Sequence, residues 1–274
     1  MREHPTILMC PPEHYGIEYE INPWMKRTMA SVRDVAWQQW KALRDQLVVF
    51  GATIHELKPQ PGLPDLVFTA NAGIVFRDRF YSSHFMHEVR AKESPYFDAW
   101  FAGNGFQVLH WPDEMYHEGA GDALFCGKEL FAGYRTRSDA VAHQWLADQI
   151  GVRILPLELV NPAYYHLDTC FCPLAPEIAI YYPAAFDSYG RKVLESHIPH
   201  LIPIHDDEAA RFGCNAVVVG KQIVHNSGCP RLAEDLARKG FTSTEITLDE
   251  FLKAGGSAKC LTIRIDGEDA AIWD

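Results

Sequence analysis

A late cysteine is the first residue of this sequence that could carry chemistry. Cys260 follows a Gly-Gly-Ser turn and opens the strand-like run Cys-Leu-Thr-Ile-Arg-Ile. A glycine-rich turn leaves backbone N–H groups available to stabilise a thiolate, and the neighbouring Lys259 adds a positive charge. The same spacing is typical of a small buried residue at the start of a strand. Cys260 is therefore a candidate nucleophile for which a packing role is not excluded.

A histidine and several carboxylates are the other candidate groups. In His166-Leu-Asp168, the i, i+2 spacing predicts that both polar side chains lie on one face of a strand. There they could act as a base and its orienting carboxylate, or both contact a cationic substrate; a strand-end histidine beside a solvated aspartate fits equally. In Glu118-Gly-Ala-Gly-Asp122 the glycines add no bulk, so a carboxylate could approach a ligand closely, although a plain loop is the simpler interpretation.

Sequence motifs for a metal or a cofactor are absent. The seven cysteines include no CxxC pair, and His84-Phe-Met-His87, which comes nearest to metal-ligand spacing, looks like a surface pair. No GxGxxG follows a strand-like run, and no GxxxxGK[ST] occurs. The residues themselves therefore point to neither a metal nor an organic cofactor. The odd number of irregularly spaced cysteines indicates reduced thiols and a cytoplasmic location.

The composition is that of a globular protein with a small-molecule partner. The formal net charge of −11 argues against nucleic acid and against anionic membrane as the main partner. The chain has no apolar run of about eighteen residues and no signal-like segment at its start. We expect one domain over residues 1–274; a homo-oligomer is compatible with this composition.

Together these groups predict a cysteine-dependent hydrolase or transferase that acts on a cation. Carboxylates suit a cationic ligand, and a planar guanidinium can be held bidentately by a carboxylate. Attack of a cysteine on its central carbon would give a covalent intermediate, while a histidine moves protons.

The elements that position these residues repeat along the chain. Five helix-like segments each end at a glycine or proline and are followed by a short β-like run; the punctuating residues are Gly51, Gly105, Gly151, Pro199 and Gly240. Apolar runs lie between these segments at residues 66–76, 122–131, 178–182 and 217–224. The pattern fits a radial repetition of α/β units, or an ordinary open α/β sheet, which periodicity alone favours.

The ordered motifs resemble the guanidino-group-modifying enzymes, which include arginine deiminases, dimethylarginine dimethylaminohydrolases and amidinotransferases. The resemblance runs from Asn22 to Cys260. It implies an α/β fold built as a five-bladed, pseudo-symmetric propeller of ββαβ units, the pentein fold, and so replaces the open sheet. It also implies that Cys260 attacks the guanidinium carbon and that His166 acts first as general acid and then as base. Glu118 would hold the guanidinium with help from Asp168, and the resemblance implies no metal and no organic cofactor.

One departure from the family motif concerns the stretch PDLVFTANAG, which predicts a strand running into a turn. The family has Asp-x-x-Phe-x-x-Asp, and this chain has Asp65, Phe68 and Asn71 at those positions. An amide thus replaces the last carboxylate, and it offers both a donor and an acceptor. The motif implies that Asp65 and Phe68 contact the substrate.

The amide resembles that of the arginine dihydrolases, which also share Phe-Thr-Ala-Asn, the early Ile-Asn-Pro-Trp-Met and the ending Lys-Ala-Gly-Gly-x-x-Lys-Cys-Leu-Thr. This resemblance implies two hydrolyses of arginine, giving ornithine, carbon dioxide and two ammonia. Asn22 and Asn71 would retain the neutral ureido intermediate. Arg90 and Arg137 would bind the amino-acid end of the substrate, with Arg135 competing for the place of Arg137.

Three alternatives stay open at this point. A deiminase would stop at citrulline, and a dimethylarginine hydrolase would release dimethylamine. A non-catalytic propeller that serves as a binding scaffold would lack the Cys, His and Glu set that is present here.

Overall fold

Strands and helices alternate along the chain in the computed structural model, which describes residues 5–273. The strands are β1 (Thr6–Met9), β2 (Thr53–Glu56), β3 (Gly73–Phe76), β4 (Arg79–Ser82), β5 (Gln107–Leu109), β6 (Ala123–Cys126), β7 (Glu129–Tyr134), β8 (Ile154–Glu158), β9 (Phe171–Ala175), β10 (Ile178–Tyr181), β11 (His200–Pro203), β12 (Val217–Val219), β13 (Gln222–Asn226), β14 (Thr242–Ile246) and β15 (Ile263–Arg264). The α-helices are α1 (Arg33–Val49), α2 (Glu88–Ala91), α3 (Ser94–Gly103), α4 (Ala140–Ile150), α5 (Ser188–His197), α6 (Asp206–Ala209), α7 (Pro230–Arg238) and α8 (Asp249–Leu252). Within the described range, no helix is long and apolar enough to cross a membrane.

The strands of residues 5–273 form five separate three-stranded sheets, which we call blades. Blades 2 to 5 are β3-β4-β5, β6-β7-β8, β9-β10-β11 and β12-β13-β14. In each, an antiparallel hairpin leads through a helix to a third strand that lies parallel to the second. Blade 1 joins the two ends of the chain, because β15 pairs antiparallel with β1 and β1 pairs parallel with β2.

This architecture is the five-bladed pseudo-symmetric α/β propeller that the family resemblance implies. The open sheet that periodicity favours is wrong. An open sheet would need strands of successive units to pair, whereas every pairing outside blade 1 joins strands of a single unit.

All five predicted helix-and-strand units are confirmed, as α1–β2, α3–β5, α4–β8, α5–β11 and α7–β14. Gly151, which ends α4, adopts the left-handed conformation with φ 68°. After α5 the chain instead leaves the helix in an extended conformation at Ile198, just before Pro199. The α1 helix buries Ala36, Trp40, Leu43 and Leu47, the spacing of one helical face, between blades 1 and 5.

Short turns precede the first strand of every blade, and we call them the inner turns. Three are 3-10 helices, at Thr69–Ala72, Gly119–Gly121 and Leu167–Thr169; the other two lie at residues 211–215 and 258–261. The first of these contacts the second, and the second contacts the third. Inner turns of different blades therefore bring together residues that are far apart in the sequence.

The predicted strand in PDLVFTANAG is wrong over its first part. Pro64–Val67 and Thr69–Ala72 are 3-10 turns, and β3 begins only at Gly73. The whole stretch is buried, and burial produces the same apolar run in a tight turn as in a strand. Its backbone is satisfied locally, for example by the Asn71 N–H donating to the Phe68 carbonyl at 3.1 Å.

Two further strand predictions need the same correction. Asp168 lies in the inner turn at Leu167–Thr169 and His166 directly precedes it, so the two do not share one face of a strand. Cys260 does not open a strand, because β15 starts three residues later, at Ile263. In both places the side chains are oriented by a turn and not by a strand.

The start of β3 gives a test of this packing. A Cβ on Gly73 would lie 2.3 Å from the backbone oxygen of Tyr81, which cannot move away without disturbing blade 2. We expect Gly73→Ala to lower the free energy of unfolding by more than about 2 kcal/mol, as overpacking does. Gly103→Ala is the control, since its Cβ would meet nothing within 4 Å at the end of α3, and it should stay within about 1 kcal/mol of the parent. Urea denaturation measures both, and equal stability of the two variants would contradict this account.

Candidate active site

Side chains from the inner turns of all five blades meet in one buried cluster. Each of them is at most 3% exposed. Hydrogen bonds link them into two groups, one around a thiol and one around an imidazole. The residues are Cys260 (blade 1), Asn71 (blade 2), Glu118 (blade 3), His166 and Asp168 (blade 4) and Asn215 (blade 5).

The thiol group consists of Cys260, Asp168 and Asn215. The Cys260 Sγ lies 3.3 Å from Oδ2 of Asp168. The Asn215 Nδ2 donates to this sulfur at 3.1 Å and to the Asp168 backbone oxygen at 3.0 Å, and its Oδ1 accepts the Cys260 N–H at 3.1 Å. Asn215 thus fixes the cysteine through both its sulfur and its backbone. Within residues 5–273, Oδ1 of Asp168 has no hydrogen-bond partner, so it can accept from a ligand.

Burial sets the protonation of this group. It raises the pKa of the Cys260 thiol well above its usual range, and the facing Asp168 carboxylate raises it further. Burial also raises the pKa of Asp168 to about 7, against the lowering effects of Cys260 and Lys259. At neutral pH Cys260 is therefore a protonated thiol.

The imidazole group is centred on Glu118. Its Oε2 accepts from Nη1 of Arg137 at 2.9 Å and from Nε2 of His166 at 2.8 Å. Burial opposes the charge of this carboxylate, but the Arg137 guanidinium and His166 hold its pKa well below the usual range. Burial lowers the pKa of His166 to about 4, although Glu118 acts in the other direction. His166 is therefore neutral at pH 7 and carries its hydrogen on Nε2, because an ionised carboxylate can only accept.

Asn71 joins the imidazole group to a second arginine. Its Oδ1 accepts from Nη1 of Arg90 at 2.9 Å, and its Nδ2 donates to the Glu118 backbone oxygen at 3.2 Å. The same Nδ2 lies 3.5 Å from Nδ1 of His166. Arg90 is itself held bidentately by Glu93, with both N–O distances at 2.8 Å. The amide is thus held at both of its ends.

A cavity of about 250 Å³, part of it open to solvent, lies beside both groups. Seven of the ten predicted site residues line this cavity. The other three, Glu118, His166 and Asp168, do not line it but contact residues that do. The Asn22 amide is committed to local structure, since it donates to the Ala254 oxygen at 3.0 Å and accepts two backbone N–H groups. The seven predicted residues in the lining are Asn22, Asp65, Phe68, Asn71, Arg90, Arg137 and Cys260.

The two competing arginines have different surroundings. Arg137 is buried, donates to Glu118 and to the Ile21 oxygen at 2.8 Å, and lies 4.7 Å from the centre of the Tyr165 ring. Arg135 is 57% exposed and pairs with Glu158 at 2.7 Å. Only Arg137 of this pair lines the cavity.

Sequence reasoning misses two residues, Asn215 of the cluster and Glu93, which contacts Arg90. Asn215 lies two residues before the first strand of its blade, as Asn71 does in its own, so an alignment of the five repeat units would have found it. Glu93 precedes α3 and gives no motif signal; only its contact with Arg90 reveals it.

Metal-ligand geometry is not found among the described residues. No group of three or more His, Cys, Asp or Glu side chains there could hold an ion. The Nδ1 of His84 instead bonds to the Met115 backbone oxygen at 2.9 Å.

Comparisons with known proteins agree with this geometry. A family model described as N,N dimethylarginine dimethylhydrolase, eukaryotic, matches residues 12–266. The chain is 46% identical to the bifunctional arginine dihydrolase/ornithine cyclodeaminase ArgZ of Synechocystis over 97% of this chain and 38% of ArgZ. It is 35% identical to the N(G),N(G)-dimethylarginine dimethylaminohydrolase of Mycobacterium tuberculosis over 94% of this chain and 84% of that protein. The chain therefore spans about two fifths of the length of the bifunctional relative it matches.

Solved structures give the same result. The N-terminal domain of ArgZ, in a cysteine-to-serine variant bound to substrate, superposes with a TM-score of 0.93 at 44% identity over 97% of this chain and 99% of that chain. An asparagine-to-serine variant of that domain, covalently bound to a reaction intermediate, also has a TM-score of 0.93. With the family model and the mycobacterial relative, these matches show that the chain belongs to the dimethylarginine dimethylaminohydrolase family of guanidino-group-modifying enzymes.

Proposed function

We propose that this chain hydrolyses the guanidino group of free L-arginine twice, giving ornithine, carbon dioxide and two ammonia. One observation carries the proposal: Asn71 places a buried amide, held between Arg90 and Glu118, where the family motif has a carboxylate. The 46% identity to a protein named as an arginine dihydrolase supports it, as does the covalent intermediate in the ArgZ domain.

The first step in this proposal starts from two neutral groups, the thiol of Cys260 and the imidazole of His166. A guanidinium entering the cavity brings the positive charge that lowers the cost of a thiolate. The thiol proton passes to Nδ1 of His166 and the sulfur bonds to the guanidinium carbon. A C–N bond then breaks, and His166 returns the proton to the leaving nitrogen, which departs as ammonia.

Water completes the first hydrolysis. His166 takes a proton from the water, whose oxygen bonds to the carbon, and the C–S bond breaks to restore the thiol and leave citrulline. In the second hydrolysis another water adds to the ureido carbon, and its remaining C–N bonds break to give carbon dioxide, ammonia and ornithine.

The amide of Asn71 accounts for the retention of citrulline. A neutral ureido group presents one carbonyl acceptor and several N–H donors. A carboxylate can pair only with the donors, whereas an amide can pair with either kind of group. Replacing the family carboxylate by Asn71 therefore weakens the preference for the charged substrate over the neutral intermediate.

The other lining residues take roles that follow from their chemistry. Arg137 binds the substrate carboxylate, and Arg90 contributes an Nη1 hydrogen to it. Asp65 is a buried carboxylate that favours the cationic end of the substrate, and Phe68 provides an apolar wall. We further propose that the remaining N–H of the Asn22 amide contacts the ureido group.

In this proposal Glu118 and Asp168 act beside the two reactive groups. Glu118 orients His166 and shares its carboxylate with the incoming guanidinium. Asp168 accepts a guanidinium N–H through its unpaired Oδ1.

We propose that residues 1–274 form one catalytic domain and that it works in the cytoplasm. The match to the ArgZ N-terminal domain over 99% of that chain supports the first point. All seven cysteines are free and buried in the described structure, which fits a reducing compartment.

A dimethylarginine hydrolase is the second candidate, because the matching family model bears that description and the mycobacterial relative bears that name. Dimethylamine release from asymmetric dimethylarginine, with arginine inert, would select it over the arginine dihydrolase.

The number of ammonia molecules per arginine tests the main proposal. We expect two, with ornithine as the final product, and no turnover in Cys260→Ser. Asn71→Asp should accumulate citrulline and form ornithine at least about tenfold more slowly, because the added carboxylate favours the charged guanidinium over the neutral ureido group. One ammonia per arginine in the parent would leave a deiminase, and ornithine formed at the parent rate in Asn71→Asp would remove Asn71 from the second hydrolysis.

The protonation of Cys260 gives a second test. Because its pKa lies well above the usual range, alkylation by iodoacetamide should be slow at pH 7 and should rise at least about tenfold by pH 9 without reaching a plateau. Mass spectrometry of the Cys260 peptide separates this reaction from alkylation of the other six cysteines. A plateau reached below pH 7 would show a preformed thiolate and contradict the neutral pair.

The two arginines give a third test. Arg137→Lys keeps the charge but loses the planar fork, so we expect roughly a tenfold or larger rise in KM for arginine. Arg135→Lys is the matched control, because Arg135 is exposed and pairs with Glu158, and its KM should stay within about twofold. Equal effects of the two substitutions on KM would remove Arg137 from the substrate carboxylate.

A further inference from the structure

Glu93 is a fully buried carboxylate that does not line the cavity and takes no part in the reaction above. Its Oε1 and Oε2 accept from Nε and Nη2 of Arg90, each at 2.8 Å. A buried carboxylate is costly unless its partner is held in good geometry, and a bidentate guanidinium provides that geometry. The pair therefore fixes the plane and the direction of the Arg90 guanidinium.

This bidentate contact also determines where the remaining N–H groups of Arg90 point. Nη2 also donates to the Asp65 backbone oxygen at 3.2 Å, and the Arg90 side chain lies over the Phe85 ring at 4.7 Å. With Nε and Nη2 committed, Nη1 points at Oδ1 of Asn71 at 2.9 Å.

This contact decides which way the Asn71 amide faces. A guanidinium has donors and no acceptor, so the oxygen of the amide must face Arg90. The Nδ2 group then faces the Glu118 backbone oxygen and Nδ1 of His166. A ring nitrogen opposite a donor presents its lone pair, and this agrees with the hydrogen that Nε2 of His166 donates to Glu118.

We propose that Glu93 is a positioning residue that acts through Arg90 and Asn71 to keep the lone pair of His166 Nδ1 available to the reaction. If the contact between Glu93 and Arg90 is lost, the Arg90 guanidinium can turn towards the Asp65 carboxylate. The Oδ2 atom of Asp65 already lies 3.8 Å from Nε of Arg90. The Asn71 amide can then flip and present its oxygen to Nδ1, which favours a hydrogen there. Because the Glu118 carboxylate keeps the hydrogen on Nε2, His166 becomes a doubly protonated imidazolium, which cannot take the thiol proton.

The first experiment reads the protonation of His166 directly and does not depend on any turnover. Nitrogen-15 NMR of histidine-labelled protein at pH 7 distinguishes the neutral Nε2–H form from the imidazolium, and loss of a signal in His166→Asn assigns it. We expect the parent to show the Nε2–H form alone and Glu93→Gln to show at least about one fifth of the imidazolium. Glu88→Gln is the matched control, because Glu88 is an exposed glutamate of the neighbouring helix α2, and it should match the parent.

The second experiment measures the ratio of citrulline to ornithine released from arginine, and this readout rests on the proposed function. A ratio does not change with the fraction of folded enzyme, so a merely structural role of Glu93 would leave it constant. We expect at least about a fivefold rise in Glu93→Gln, a smaller rise in Glu93→Asp, which keeps the charge, and none in Glu88→Gln.

Unchanged protonation of His166 in Glu93→Gln, or in Glu93→Asp should the first variant not fold, would overturn the inference, and so would an unchanged product ratio. If the parent releases a single ammonia per arginine, the proposed function fails while the NMR experiment still decides the role of Glu93.

Discussion

The buried carboxylate of Glu118 is the interaction on which the rest of the site depends. One of its oxygens serves both Arg137 and His166, and breaking such a buried pair costs about 3–5 kcal/mol. Asp122 adds a second tie, since its Oδ1 accepts the Leu167 N–H at 3.0 Å and its Oδ2 bonds to Ser138. The inner turns of blades 3 and 4 and the loop that carries Arg137 are therefore locked together, and these contacts define one side of the site.

The charges around the cavity explain both the ligand class and the neutral thiol. The buried carboxyl groups around the cavity outnumber the buried guanidinium groups. The carboxyl groups are Asp65, Glu93, Glu118 and Asp168, and the guanidinium groups are Arg90 and Arg137. A cationic ligand offsets this excess of acidic groups. The same negative charge disfavours a thiolate until that cation arrives, so charge separation in the cysteine–histidine pair is stabilised only with the substrate in place.

Sequence reasoning predicts the repeat units well and the turns between them poorly. Helices such as α4 show a 3.6-residue period and end at a glycine, which are local signals. The inner turns carry no such signal, because buried 3-10 turns and buried strands share an apolar run. The site shows the same division. Cys260 and His166 lie in recognisable motifs, whereas the role of Glu93 depends on contacts that only the fold creates. Glu93 contacts Arg90, Arg90 contacts Asn71, and Asn71 contacts Glu118 of another blade.

Arg90 holds the Asn71 amide and is also a proposed contact of the substrate carboxylate, and its geometry allows both contacts. A substrate carboxylate would compete for this guanidinium, and a loss of its contact with Asn71 would release the amide. Glu93 and the Asp65 backbone occupy Nε and Nη2, which leaves Nη1 with two hydrogens. One of them holds Asn71 and the other can meet an incoming carboxylate. Because both hydrogens lie in the guanidinium plane that Glu93 fixes, binding of the carboxylate would stabilise the orientation of Arg90 that holds the amide. Substrate binding would then strengthen the contact that keeps Nδ1 of His166 unprotonated, at the moment when the thiol proton must move.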